Sequence, residues 1–201
     1  MPFVFFSNKV FKFSLHLFKF RKEVNLYVEL YTMQGIEKIT SGLSLQAAFT
    51  ALVVAFMIHN LEEAITICRF PVENPFPFIK PASCSQFIVS VSIISAAGLI
   101  ALVIALRTER QSVYNFISTG LAAVLLLNVF VPHFTVAIYT FHYTPGLVSA
   151  MFINLPLSLL VLTKNRPLYT IRKQFLRHIF IFLIIGYVFF ALSMGLAKLV
   201  T

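Results

Sequence analysis

Residues 111–163 read QSVYNFISTGLAAVLLLNVFVPHFTVAIYTFHYTPGLVSAMFINLPLSLLVLT, a stretch that contains no lysine, arginine, aspartate or glutamate. A helix needs about 20 apolar residues to cross the hydrocarbon core of a bilayer. This stretch is therefore long enough for at least two crossings. A soluble domain could not hide so much apolar surface in a chain of 201 residues that is 59% hydrophobic. The sequence predicts an integral membrane protein.

The remaining apolar segments extend this prediction to an all-α bundle of about five transmembrane helices. The chain is only 11% charged, and its mean hydropathy is +0.88. Charged residues flank five apolar segments, which we place at about 44–64, 86–106, 113–131, 146–162 and 179–197. The third segment has room to continue beyond residue 131, and the fourth is the shortest. An odd number of crossings puts the two termini on opposite sides of the membrane.

The first 32 residues differ from the predicted transmembrane domain, residues 33–201, in their pattern of apolar and basic residues. They include FFSNKVFKFSLHLFKFRK, in which phenylalanine and basic residues alternate without a clean apolar core. The segment therefore lacks the uninterrupted apolar region of a cleavable signal peptide. Two interpretations stay open. The segment is a basic amphipathic element on the membrane surface, or Met33 is the true start of the protein.

Basic residues concentrate in alternate loops, which sets the orientation. One set carries Lys38, Arg107, Arg110, Lys164, Arg166, Arg172, Lys173 and Arg177, and the other carries Arg69, Lys80 and Lys198. Because basic loops stay in the cytoplasm, we expect a cytoplasmic N-terminus and an outside C-terminus in a bacterial inner membrane. This distribution also explains the net charge of +9 without nucleic acid as a partner.

The proline-rich loop after the first span then lies outside the cytoplasm. It contains the two cysteines of the chain, Cys68 and Cys84, whose spacing matches neither a CxxC metal motif nor a redox motif. Whether they form a disulfide stays open at this point. No phosphate-binding glycine loop or nucleophile elbow occurs in the sequence.

The first span ends in MIHNLEEAI, residues 57–65, which places one histidine and two carboxylates at membrane depth. The chain has seven acidic residues in all, so the adjacent Glu62 and Glu63 stand out. Ionisable groups inside a membrane are costly and usually functional. Two purely structural interpretations stay open. Glu62 forms a surface ion pair with Arg69, and His59 forms a hydrogen bond with a neighbouring carbonyl.

The predicted topology brings further polar residues to the same layer. At 1.5 Å per residue, His59 lies about 22 Å into the first span and Asn128 about 22 Å into the third, so the two are level. We expect them to be close, with Glu62 and Glu63 turned towards the third span. Pro132 interrupts helical hydrogen bonding near Asn128, and His133 follows it.

This set of side chains suits a divalent metal ion. The order of residues is similar to the inverted zinc motif HxxEH, with Glu63 in place of the second histidine. By that analogy His59, Glu63 and His133 would ligate the metal, and Glu62 would activate a water molecule. Zinc is the first candidate, although a glutamate at this position leaves iron and manganese open. We also assign Asn128 and Tyr143 to cofactor binding.

Other polar residues have structural interpretations. Small residues in the third span, namely Ser118, Thr119 and Gly120, are typical of close helix packing. Pro156 indicates a kink in the fourth span. The remaining histidines, His16, His142 and His178, read as loop or flanking residues rather than ligands.

The chain resembles the bacterial membrane proteins called the HXXEE family, whose motif stands here as HNLEE, residues 59–63. The family carries a second block, matched by Asn128, His133, the tetrapeptide YTPG at 143–146, and Pro156. The resemblance covers about residues 45–162. It implies a membrane location and the joint importance of both blocks, but no reaction, because the family is functionally uncharacterised.

We expect a metal-dependent hydrolase that acts on a lipid or lipid-linked substrate, with membrane lipid as its surroundings. The alternative is a non-catalytic transporter or a cation- or ligand-binding protein. A transporter should carry polar residues down to the cytoplasmic half, where the sequence shows few. A third interpretation is a purely structural partner in a complex. The oligomeric state stays open.

Overall fold

The computed structural model describes residues 42–70 and 82–201. The predicted N-terminal extension, residues 1–32, lies outside the described residues, as does most of the proline-rich loop. The following account concerns the unit Ser44–Thr201.

Five helices long and apolar enough to span a membrane form this unit, which confirms the predicted fold class. They are α1 (Leu45–Thr66), α2 (Cys84–Arg107), α3 (Gln111–Thr140), α4 (Leu147–Leu168) and α5 (Arg172–Val200). The described part of the chain contains no strand. The structure extends α3 through residue 140 and starts α5 at Arg172, so both helices are longer than their apolar cores.

Side-chain caps fix the starts of the first two helices. The hydroxyl of Ser44 accepts a hydrogen bond from the amide of Ala47 at 3.1 Å. Ser83 and Gln86 form a reciprocal capping box at the start of α2, with bonds of 3.2 and 3.1 Å. Both caps satisfy amide groups that have no partner inside the helix.

The helices pack with α1 at the centre and α5 at the outside. α1 packs against α2 and α4, α3 packs against α4 and α5, and α2 packs against α5. The first turns of α1 are fully buried at Ala48, Phe49, Leu52 and Val53. By contrast, α5 exposes large apolar side chains such as Phe180. Exposed apolar side chains along a spanning helix are what lipid contact requires.

Alternation along the chain places one set of helix ends together. The ends of α1, α3 and α5 and the starts of α2 and α4 form what we call the site face, and the other five ends form the opposite face. A disulfide joins Cys68 to Cys84 and so links the end of α1 to the start of α2 at the site face.

Both α3 and α4 are irregular close to the site face. α3 contains a π-helical segment, Val129–Phe134, in which Val131 has extended backbone angles (φ −132°, ψ 109°) beside Pro132. α4 contains a second π-helical segment, Ala150–Asn154, just before Pro156. The predicted kink in the fourth span therefore coincides with a π-helical turn, which is common near functional sites.

A buried polar cluster lies near the opposite face, which the sequence did not indicate. The amide of Asn165 donates to Ser118 at 3.0 Å, and the hydroxyl of Tyr169 lies 3.0 Å from both Thr119 Oγ1 and His178 Nδ1. Ser118 and Thr119 thus do more than permit close packing. The expectation that this half carries few polar residues is wrong, because single polar residues on separate helices meet there.

Gly120 does allow a close approach of helices, as predicted. A Cβ atom at this position would lie 2.0 Å from Cγ and 2.6 Å from Cβ of Phe182 in α5. These atoms belong to the base of the Phe182 side chain, so a small rotation of the ring would not relieve the overlap. The contact between α3 and α5 therefore depends on glycine.

We expect Gly120→Ala to destabilise the bundle by about 1–3 kcal/mol, the usual cost of overpacking a close contact. The measurement is thermal unfolding of the detergent-purified protein. Phe182→Ala should cost less in the Gly120→Ala background than in the wild type, because the two side chains then no longer compete. Gly195→Ala is the matched control, since no atom lies within 4 Å of its added Cβ. Equal stability of the Gly120 and Gly195 variants would contradict this packing.

Candidate metal centre

α1 presents His59 and Glu63 to the interior of the bundle. The two residues lie four apart, so their side chains project from nearly the same face of the helix. Both are buried, and Glu63 Oε1 lies 3.6 Å from His59 Nε2. One helix thus supplies a nitrogen and an oxygen donor to a single point.

The break in α3 supplies the third member of the cluster. In a regular α-helix, residues five apart point about 140° away from each other. Asn128 and His133 nevertheless lie with Nδ2 and Nε2 only 3.2 Å apart. The π-helical segment and the extended Val131 redirect His133 to the side of the helix that carries Asn128. Pro132 lacks an amide hydrogen, which favours this irregular backbone.

His59, Glu63 and His133 form a buried three-donor cluster, which we call the HEH cluster. Glu63 Oε1 lies 3.2 Å from His133 Nε2, and the possible ligand atoms of all three residues lie within 4.8 Å of one another. The two imidazole rings are nearly perpendicular, with centroids 4.7 Å apart. Two donors bound at 2.0–2.1 Å to a tetrahedral zinc ion lie about 3.3 Å apart. The distances from Glu63 to both histidines fit that spacing.

Asn128 completes the polar layer. Its amide nitrogen lies 3.1 Å from His59 Nε2, so the two residues are level and close, as the depth count predicts. The same nitrogen bonds His133. One amide therefore bridges the two histidines at the atoms that would bind a metal.

The start of α4 fixes the tautomer of His59. Nδ1 of His59 lies 3.1 Å from the carbonyl oxygen of Gly146 and 3.0 Å from Ser149 Oγ. A carbonyl only accepts hydrogen bonds, so Nδ1 carries the hydrogen, and in the neutral imidazole Nε2 then carries the lone pair. Metal-binding histidines are commonly held in this way, with the other ring nitrogen bonded to a carbonyl. The hydrogen bond from His59 to a carbonyl, which was the purely structural interpretation of this residue, is thus present. It also orients the imidazole ring whose Nε2 belongs to the HEH cluster.

Glu62 faces a different partner, and the expectation that it turns towards α3 is wrong. Its Oε1 accepts a hydrogen bond of 2.5 Å from Tyr143 Oη, and its Oε2 accepts one of 2.9 Å from the amide of Ser149. Successive residues on a helix point about 100° apart, so Glu62 and Glu63 cannot both face the same donors. Glu62 instead holds the start of α4 against α1, and the suggested ion pair with Arg69 is replaced by these bonds.

Tyr143 lies in the connection between α3 and α4. Burial, followed by the hydrogen bond to Glu62, raises the pKa of its hydroxyl. Tyr143 is therefore protonated at neutral pH and donates to the carboxylate. Its ring also contacts Phe70 edge-on, with centroids 5.1 Å apart. The structure places Tyr143 next to Glu62 and away from the HEH cluster.

The other histidines agree with their structural interpretations. His142 is exposed, and its Nδ1 lies 2.5 Å from the backbone oxygen of Thr140 in the same connection. His178 bonds Tyr169 near the opposite face. His16 lies outside the described residues.

Two residues of the site, Gly146 and Ser149, are not predicted from the sequence to contact its side chains. Gly146 enters the prediction only as part of the tetrapeptide YTPG, yet its carbonyl bonds His59. The backbone amide of Ser149 donates to Glu62. Gly146 has φ of +79°, a conformation that favours glycine. A Cβ there would lie 2.7 Å from both Glu63 Cγ and His59 Cε1, and 3.0 Å from His133 Cε1. The sequence signal that could have indicated this turn is the dipeptide Pro145-Gly146.

We expect Gly146→Ala to displace the HEH cluster and to destabilise the protein, because the new methyl group meets all three of its side chains and the backbone is strained. A loss of about 1–3 kcal/mol follows from the strain at positive φ alone. The measurement is thermal unfolding in detergent, with Gly42→Ala as the control, since nothing lies within 4 Å of a Cβ there. A Gly146→Ala protein as stable as the wild type would show that Gly146 is not closely packed against the HEH cluster.

Comparison with known proteins agrees with the two blocks of the site. A family profile described as "Protein of unknown function with HXXEE motif" matches residues 50–161, which include every residue of the site. The chain is 25% identical over 108 residues to the "Uncharacterized protein YrkK" of Bacillus subtilis (strain 168), a match that covers 54% of this chain and 68% of that protein. No solved structure matches. The chain belongs to the HXXEE family.

Proposed function

We propose that this membrane protein binds a divalent metal ion at the HEH cluster. The observation that carries the proposal is the convergence of lone pairs. Nδ1 of His59 donates to Gly146, so Nε2 of the neutral ring carries a lone pair, and the Glu63 carboxylate oxygen lies beside it. Nε2 of His133 approaches the same oxygen. Two imidazole nitrogens and a carboxylate oxygen that converge at this spacing in the interior match the arrangement of a metal site, in which a divalent cation would replace the Asn128 amide hydrogens as their partner.

Zinc fits this donor set best. Two imidazole nitrogens and one carboxylate oxygen match known catalytic zinc sites, which keep a further position for water or substrate. Iron and manganese accept the same donors and stay as second candidates. Asn128 adds a fourth donor if its amide turns so that the oxygen faces the metal, since its present nitrogen lies 3.1 and 3.2 Å from the two Nε2 atoms.

We expect purified wild-type protein to bind about one zinc ion per chain. Glu63→Gln or His133→Ala should weaken zinc binding by about 100-fold or more, because even residues that only orient metal ligands contribute about 10–100-fold to metal affinity. The measurements are elemental analysis after dialysis and calorimetric titration. Affinity should fall as the pH is lowered, because protons compete for the same lone pairs.

His142→Ala is the matched control for this experiment, because it removes an exposed histidine outside the HEH cluster. Glu62→Gln should weaken binding less than Glu63→Gln, because Glu62 contacts Tyr143 and Ser149 and affects the HEH cluster only through the position of α4. If the wild type holds no stoichiometric zinc, iron or manganese after supply of each, the proposal fails. If His142→Ala weakens binding as much as Glu63→Gln, the ion lies elsewhere.

A metal-dependent hydrolase acting on a lipid or lipid-linked substrate is the catalytic form of this proposal. Its support is the open coordination position of a three-donor site at membrane depth. In such an enzyme Glu62 would be the general base for a metal-bound water. Both oxygens of Glu62 carry hydrogen bonds here, so Tyr143 or Ser149 would have to release the carboxylate first. This arrangement favours metal binding, with Glu62 as a positioning residue, over turnover.

We further propose that the site face lies outside the cytoplasm of a bacterial inner membrane, with the N-terminus inside and the C-terminus outside. The concentration of lysine and arginine in the loops of the opposite face supports this orientation. The disulfide between Cys68 and Cys84 supports it independently, because disulfides persist in oxidising compartments such as the periplasm. A metal would then reach the site from the periplasmic side.

A membrane-impermeant maleimide should label His142→Cys in intact cells and should label Glu109→Cys only after permeabilisation. Both positions are exposed, and they lie in connections at the site face and the opposite face. The native cysteines are joined in the disulfide and add no label. The reverse pattern would place the site face in the cytoplasm and would contradict the proposed orientation.

A further inference from the structure

Two polar residues of α4 lie in the interior without any protein partner. Asn154 and Ser158 are both 0% exposed, and neither atom of the Asn154 amide nor the hydroxyl of Ser158 makes a hydrogen bond within the described residues. The two residues are four apart, so they share one face of the helix. They therefore present three unpartnered polar atoms to the same part of the bundle.

Within the described bundle, the Tyr114 hydroxyl is the one further buried side-chain group without a hydrogen-bond partner, and the other buried polar side chains are paired. Ser90 bonds Ser193, Asn60 bonds Ser95, and Asn165 bonds Ser118. Buried polar groups in membrane helices find partners because the bilayer offers none. An asparagine and a serine left together without protein partners thus indicate a bound polar molecule.

The position of the pair connects it to the HEH cluster. Asn154 ends the π-helical segment that begins directly after Ser149, whose hydroxyl lies 3.0 Å from His59 Nδ1. Five residues of helix separate Ser149 from Asn154, a rise of about 7 Å. Two water molecules linked by hydrogen bonds of about 2.8 Å would span such a distance. Below Ser158, Val161 is fully buried and apolar, and it separates the pair from Asn165.

We propose that Asn154 and Ser158 bind ordered water in the middle of the bundle, as an inward extension of the metal site. The amide offers two donors and an acceptor, and the hydroxyl offers a donor and an acceptor, which matches the two to four partners that a buried water needs. The pair carries no charge, so water suits it better than a bare divalent ion. Water binding is independent of metal occupancy. Its role as a water supply to the metal rests on the proposed function.

The experiment is radiolytic hydroxyl-radical footprinting read by mass spectrometry, with the wild-type protein in detergent. Val161 is inaccessible to bulk solvent and lies three residues from Ser158, so radicals reach it only from bound water nearby. We expect labelling of Val161 in the wild type and a severalfold decrease in Asn154→Leu and in Ser158→Ala. Ser158→Ala changes a single hydroxyl and keeps the test valid if Asn154→Leu does not fold.

Thr163→Val is the matched control on the same helix, because its hydroxyl bonds Leu160 O within α4. Its labelling of Val161 should equal that of the wild type. Unlabelled Val161 in the wild type, or equal labelling in Ser158→Ala, would overturn the proposal. Zinc titration of the same variants separates the two proposals, since Ser158→Ala should bind zinc like the wild type. Normal zinc binding with unchanged labelling in Ser158→Ala would overturn the water site alone, whereas labelling of Val161 that falls in Ser158→Ala in a protein that binds no zinc would overturn the metal site alone.

Discussion

The hydrogen bond between His59 Nδ1 and the carbonyl of Gly146 is the interaction on which the site depends. It joins α1 to the start of α4 in a layer where lipid supplies no competing partner. It also decides which nitrogen of His59 faces Glu63 and Asn128. Without it, no carbonyl would fix the tautomer of His59, and the start of α4 would lose one of the bonds that hold it to α1.

The irregular backbone of α3 and α4 is a condition for that arrangement. A straight α3 would turn His133 away from Asn128, whereas the π-helical segment Val129–Phe134 brings the two together. At Gly146 the left-handed conformation leaves room for the HEH cluster, and any side chain there would occupy it. Both departures from ideal helix lie at the site face. In the opposite half, α4 ends in a short 3-10 turn, Arg166–Leu168, and hydrogen bonds join Asn165 to Ser118 and Tyr169 to Thr119.

Most of the fold could be predicted from the sequence, because membrane spans follow from local hydropathy alone. The equal depth of His59 and Asn128 in the membrane could also be predicted, from the helical rise of 1.5 Å per residue. The partners of Ser118 and Thr119 could not be found in this way. A single hydroxyl among small residues looks the same whether it permits packing or bonds Asn165 or Tyr169. The difference depends on the rotation of each helix, which hydropathy does not set.

The direction of Glu62 shows a limit that lies within the motif itself. On a helix, Glu63 lies only about 40° from His59 in projection, whereas Glu62 lies about 60° away on the other side. Glu63 therefore joins His59 in the HEH cluster, and Glu62 meets the residues that pack on its own side, Tyr143 and Ser149. The two carboxylates of HNLEE thus have separate tasks. One is aimed at the HEH cluster, and the other holds the chain segment that supplies the Gly146 carbonyl. Because Glu62 holds α4, and α4 orients His59, Glu62 acts on the HEH cluster through the backbone of α4, although its own carboxylate bonds Tyr143 and Ser149.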